Sequence, residues 1–153
     1  MKKQCRRKIW STNINPIAHA IAGASITDNA SLNKLRLGEL TALDAMTRGA
    51  GTVEDWRLLV DMMNIAETMG KNGIGAEVLE HCAKAQEALH QAALRYEKTK
   101  KMGLSGVGIN ALREIYEYHD LQRLSIPRSV YERMIEKTRN YLRSQGKDVT
   151  VIK

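Results

Sequence analysis

At 153 residues, with 43% hydrophobic and 27% charged side chains, the chain has the composition of one soluble globular domain, and no apolar run is long enough to cross a bilayer. Phenylalanine is absent and aromatics make up only 5%, so the core has to be built from Leu, Ile, Val, Met and Ala, which suits helix packing better than a β-sandwich. The formal charge of +7 permits an acidic partner without requiring one, and two cysteines, Cys5 and Cys82, argue against a disulfide framework and fit a reducing cytoplasm.

Residues 1–12 read as a basic, flexible arm. Lys2, Lys3, Arg6, Arg7 and Lys8 carry five positive charges with no acid among them, and Trp10 follows directly. Such a run cannot bury enough apolar surface to order itself. It reads either as a solvated tail or as an arm that contacts phosphates or an acidic protein surface, and a basic run beside an aromatic is a weak nucleic-acid signature. It lacks the apolar stretch and small-residue cleavage site of a signal peptide, so the protein is expected in the cytoplasm.

A helical domain is expected over 13–146. Residues 13–24 look like an anchoring segment with a short helix from Pro16 to Ala22, capped by Asn15 and stopped by Gly23. His19 there reads as a packed, hydrogen-bonded histidine. Residues 27–48 form the next predicted helix, with an inward stripe of Leu32, Leu35, Ala42, Leu43 and Met46. Gly38 inside it costs about 1 kcal/mol relative to Ala and marks either a close crossing or a break. Over 52–70, Thr52 and Asp55 suggest a capping box, and Trp56, Leu59, Val60, Met63, Ala66 and Met69 form the buried face. Met62, Met63 and Met69 suit a core or a partner groove.

The longest predicted helix runs from Ala76 to Met102 and is expected to be the post around which the bundle packs. Val78, Cys82, Ala85, Leu89, Ala92 and Tyr96 fall on one stripe, in steps of four and three. Glycine-rich turns at 70–75 and 103–108 bracket it, with Ile74 tucked inward and Ser105 as the next cap. Residues 109–124 read as helix with Ile109, Leu112, Ile115, Tyr116 and His119 inward. Pro127 begins or precedes a last helix, for which Ser129 and Glu132 form a capping box, and Gly146 closes it. The tail 147–153 is strand-like but expected to be flexible or added to another chain. The expected fold is all-α: a single-domain bundle of five to six helices around a long central one.

Candidate chemistry is thin. Glu87 and His90 form an E-x-x-H pair, but carboxylate-bridged di-metal bundles need a second such pair and further inward glutamates. His119 with Tyr116, Glu117 and Asp120 offers acid–base groups but no nucleophile or matched second carboxylate. Cys82 lies on the core stripe and is expected to be inert. Neither an enzyme nor a cofactor nor a metal is expected. Tyr118, His119, Asp120 and Arg123 form the densest polar-aromatic patch. Arg128, Arg133, Lys137, Arg139 and Arg143 give the last helix a basic surface, with seven Lys/Arg against three acids over 128–153.

The blocks Asn15-Pro16-Ile17, Leu43–Gly49, Trp56–Glu67, Gly73-Ile-Gly75 and Tyr118–Arg123 resemble small uncharacterised proteins of proteobacterial phages and prophages. The resemblance implies a phage-borne accessory protein acting in the host cytoplasm by binding and modulating a host protein. Anti-defence inhibitors such as anti-CRISPRs are one such class. A nucleic-acid-binding or transcription-regulating protein, using the basic arm and the last helix, is the alternative. Self-association as a homodimer is also expected from the Ala-rich stripe and the methionines.

Overall fold

A computed structural model describes residues 29–145 and Ile152. The basic arm (Lys2, Lys3, Arg6, Arg7, Lys8, Trp10) and the anchoring segment with His19 lie outside the described residues. Helix accounts for 84% of what is described, with no strand among those residues. Five α-helices follow one another: α1 (Asn29–Thr47), α2 (Val53–Lys71), α3 (Leu79–Thr99), entered through a 3-10 turn at Ala76–Val78, α4 (Gly106–Leu124) and α5 (Arg128–Gln145). This is the expected all-α helical bundle.

Helix α1 buries Leu32, Ala42, Leu43 and Met46, while Leu35 of the predicted stripe is exposed. Glu39 takes the inward position instead, because it stands one heptad from both Leu32 and Met46. The helix runs unbroken through Gly38, whose missing Cβ would come 3.6 Å from Leu58 on α2, an ordinary van der Waals approach. Thr52 and Asp55 form the capping box of α2: the Asp55 amide donates to Thr52 Oγ1 at 3.1 Å and the Thr52 amide to Asp55 Oδ2 at 2.8 Å. The predicted face of α2 is buried except for Val60, which packs partly covered against the core. Trp56 Nε1 donates to the Leu89 carbonyl on α3 at 2.8 Å, so its one polar atom is satisfied inside the core.

The long helix is where the periodicity places it, and Val78, Cys82, Ala85, Leu89 and Ala92 are all buried. It is shorter than Ala76–Met102 at both ends. Residues 76–78 form a tighter turn, and Lys100 takes a left-handed conformation that ends the last turn, its amide donating to the Tyr96 carbonyl. Met102 leaves the helix to fill the core, where its carbonyl accepts from Gly51 at 3.2 Å. Gly103 there lies against Gly49: a Cβ on it would sit 2.9 Å from the Gly49 Cα, so the two turns strap together only without a side chain. Helix α2, and not the longest one, packs against every other helix.

Ser105 caps α4 as expected, accepting from the Gly108 amide. The capping box predicted at Ser129 and Glu132 does not form. Helix α5 begins at Arg128, with the Pro127 carbonyl accepting from Tyr131, so Ser129 is already inside and Glu132 pairs with Arg128. Met134 of α5, with Met69 and Ile126, makes a second small core supported by Ile65, Ile74, Val130 and Tyr131. Of the tail, only Ile152 is described. It is 4% exposed and belongs to the main core with Trp56, Met63 and Leu89. An apolar side chain at that position gains more from the core than from water; the rest of the tail lies outside the described residues.

Candidate functional site

The polar-aromatic patch of α4 divides between the inside and the surface. His119 is fully buried. Gln122 Nε2 donates to the carbonyls of Ile74 (2.7 Å) and Ala66 (3.2 Å), so its Oε1 is left to accept from His119 Nδ1 at 3.1 Å. His119 Nε2 then accepts from the Tyr131 hydroxyl at 3.3 Å. The chain of donors ties α5, α4, α2 and the turn before α3 together. Burial, with the Arg123 charge adding to it, pushes the His119 pKa down to about 3, so the ring stays neutral. His119 is a structural histidine.

Arg123 is equally buried and makes two 2.8 Å bonds to Glu39 of α1. Asp120 accepts two 2.8 Å bonds from Arg36 and a weaker one, at 3.3 Å, from Arg123. Burial holds the Glu39 carboxyl above its usual range, with the Arg123 bonds opposing. Burial also works against the Asp120 carboxylate, but bonds and charges from Arg36 and Arg123 outweigh it and bring its pKa below the usual range. Tyr118 is half-buried like Asp120; it packs against the main core and stacks on His81 at 5.1 Å. The patch is therefore a structural network, and Glu39, Arg36, Gln122 and Tyr131 were the partners that the sequence reading missed. The heptad relation of Glu39 to Leu32 and Met46 was the available signal.

Among the described residues, no group of three His, Cys, Asp or Glu side chains could hold a metal. Burial pushes the Cys82 thiol up to about 11, and its Sγ donates to the Val78 carbonyl. Glu87 and His90 are exposed on the rim of a cleft and do not face each other across a bundle core.

That cleft is a concave feature of the described residues. Helix α2 is its floor, α3 one wall and the end of α5 the other. Its larger part, about 520 Å³, is lined by Trp56, Val60, Met63 and Leu89, with Gln86, Glu87 and His90 on the α3 side. A second part of about 240 Å³ continues past Thr68, Lys71 and Asn72 to Lys137 and Thr138. Asn64, Glu67, Lys71, Tyr141 and Leu142 border both, so they form one groove. From Trp56 to Asn72 it follows α2 for roughly 24 Å, at about 1.5 Å per residue. Glu87 stands on the α3 side and Lys137 on the α5 side, and on the floor Lys71 pairs with Glu67 at 2.9 Å.

Two of the five cations of α5 are neutralised by acids. Arg128 pairs with Glu132 and Arg139 with Glu136, and Lys137 donates to Asn72 Oδ1. Arg133 and Arg143 are exposed and pair with no acid among the described residues. Residues 29–145 hold 17 Lys/Arg and 15 Asp/Glu, a formal +2 of the chain's +7. No helix of the described residues is long and apolar enough to cross a membrane. Comparison with known protein families, curated proteins and solved structures finds no match to this chain.

Proposed function

We propose that the chain is a non-enzymatic accessory protein that binds and modulates a host protein, of the phage-borne kind its sequence blocks resemble, with an anti-defence, anti-CRISPR-like role among the readings. The groove along α2 carries this proposal. It is long enough for about four turns of a partner helix. Its partly exposed floor residues Val60, Asn64 and Glu67 follow the four- and three-residue steps of one helix face, with Trp56 and Met63 buried beneath them. Glu87 on the α3 wall and Lys137 on the α5 wall favour one partner orientation, with the partner's basic flank toward Glu87 and its acidic flank toward Lys137, while Lys71 on the floor is held by Glu67. The burial of His119, Glu39 and Arg123 supports a binding role over an enzymatic one, since none of them reaches solvent. The setting proposed is the host cytoplasm, and the protein is proposed to act as a homodimer.

The test is capture from nuclease-treated host lysate by the wild-type chain and by Leu142→Glu, with folding checked by circular dichroism. The expected result is one host protein retained by the wild type and lost by the variant. Equal capture by both overturns the groove. The alternative, nucleic-acid binding, is favoured by exposed Arg133 and Arg143 and by the five cations of residues 1–8. On that reading random duplex DNA binds with a steep salt dependence, about 0.9 units of log K per log salt for each phosphate contact, and deleting residues 1–8 flattens it by several units.

A further inference from the structure

The groove along α2 is divided. Asn64, Glu67, Lys71, Tyr141 and Leu142 border both of its parts, so they stand between the two spaces. Three contacts join the walls there. Gln86 of α3 donates to Glu67 Oε2 at 3.0 Å, and the Lys71 ammonium donates to Glu67 Oε1 at 2.9 Å. The same ammonium lies 5.7 Å from the centre of the Tyr141 ring on α5. A polar bar therefore runs from one wall across the floor to the other. It engages both Glu67 oxygens, and the charges of Glu67 and Lys71 cancel within it. Uncancelled charge lies on either side. Glu87, which accepts from the neutral Gln91, borders only the larger part, and no cation pairs with it among the described residues. Lys137, which donates to the neutral Asn72 side chain, borders only the smaller part, and no acid pairs with it among those residues. The groove thus changes sign along its length, from acid to base, at the bar.

We infer, on the groove reading above, that the partner is a helix of defined pattern: a basic residue over the larger part, an acidic residue about two turns along over the smaller, and a residue no larger than Ala where it crosses Glu67. The spacing follows from α2. Val60 borders only the larger part and Thr68 only the smaller, and the two stand about 12 Å apart along the helix at 1.5 Å per residue. Two turns of a partner helix cover about 11 Å and return to the same face. The small residue follows from the bar. Its side chains stand where the two spaces meet, so a branched side chain laid on it has no cavity to enter. Both Glu67 oxygens are already bonded, so a polar side chain there displaces a contact instead of adding one. The change of sign supplies the discrimination. A helix with the same charge at both positions meets a like charge at one end of the groove, which disfavours it in either direction of binding.

The experiment is binding of fluorescein-labelled amphipathic Leu/Ala helices to the full chain, followed by anisotropy. The first helix carries Lys and Glu two turns apart, with Ala facing the bar between them, and is expected to bind. Lys/Lys and Glu/Glu versions are expected to bind at least tenfold more weakly, as is the Lys/Glu version with Leu at the bar position. Glu67→Ala/Lys71→Ala removes the bar at constant net charge. With circular dichroism unchanged, it is expected to take the Ala and Leu versions alike. Lys137→Glu is expected to prefer the Lys/Lys version. Equal affinity of the wild type for all four helices, or an unchanged Leu penalty without the bar, overturns the inference. So does a first helix that fails to bind. If Leu142→Glu then still loses a host protein that the wild type captures, only the pattern falls and the groove stands; equal capture removes both. Binding that appears only after deletion of residues 146–153 assigns the groove to the chain's own tail. A wild-type dimer that excludes the first helix and is dispersed by Leu142→Glu assigns it to a second copy. Either result overturns the inference.

Discussion

Replacing Glu39 by Gln tests whether the α1–α4 seam rests on its buried charge pair. Glu39 is 4% exposed and Arg123 3%, joined by two bonds of 2.8 Å. With Glu39 neutral, the one acid bonded to Arg123 among the described residues is Asp120 at 3.3 Å, already engaged by Arg36 through two shorter bonds. Arg123 Nε has no partner to share the load among the described residues. Breaking a buried pair from one side costs about 3–5 kcal/mol, because the remaining charge stays out of water. For a chain of this size that is a fall of about 10 °C in melting temperature. Urea denaturation followed by circular dichroism at neutral pH measures it. The loss is expected to change little with added salt, since buried pairs are weakly screened. The double variant Glu39→Leu/Arg123→Met removes both charges and is expected to recover most of the loss. A cost under about 1 kcal/mol for Glu39→Gln, the scale of a surface pair, refutes the reasoning.

The His119 pKa near 3 lies below the imidazole's ordinary value, so between about pH 6.5 and 3 the unfolded chain takes up a proton that the folded one refuses. Stability is expected to fall as pH drops through that window, by up to about 1.4 kcal/mol per unit from this residue, and His119→Asn should remove that part of the slope in acid titrations followed by fluorescence. Ile152→Ala is expected to cost about 2–4 kcal/mol if Ile152 fills the main core, and a thermal melt unchanged from wild type contradicts that burial. Gly103→Ala forces a Cβ against the Gly49 backbone and is expected to cost about 1–3 kcal/mol, whereas Gly106→Ala, with nothing within 4 Å, should be neutral or slightly stabilising; equal melting points for the two variants count against the strap between the turns.

The helices were legible because their signal is local. Thr52 and Asp55, Ser105, and the four–three steps from Val78 to Ala92 each act within a turn or two of their own helix, and all formed. What failed was tertiary. Leu35 had the right spacing for burial, but Glu39 claimed the inward position through a partner 84 residues away. Ser129 and Glu132 matched a capping box, yet the Pro127 carbonyl started the helix two residues earlier. The functional patch was legible as a cluster and not as a role. Tyr118 to Arg123 is dense in polar groups whether it lies on a surface or in a core, and only its packing against α1 and α5 shows which. The charge of α5 has the same ambiguity, since Arg128 and Arg139 look available until Glu132 and Glu136, one turn away, are seen to hold them.

The two ion pairs of the seam also explain why a costly buried charge is kept in a place where leucine and methionine would pack as well. Apolar ridges on two packed helices tolerate a slide of one turn, since position i and position i+4 meet the partner alike. Arg36–Asp120 and Glu39–Arg123 do not tolerate it. A shift of α1 by one turn separates all four groups from their partners by about 5 Å and leaves Arg123 and Glu39 buried and alone. The placement they hold is the one in which the end of α1 meets the start of α4, the Leu104 amide donating to the Met46 carbonyl at 3.0 Å. On this argument the Glu39→Leu/Arg123→Met variant, though stable, should lose the fixed placement of α1 on α4 and exchange its α1 amides faster than the wild type, while Arg36 and Asp120 remain untouched. Stability recovered together with unchanged amide exchange would separate the two roles and leave the pair as a matter of folding alone.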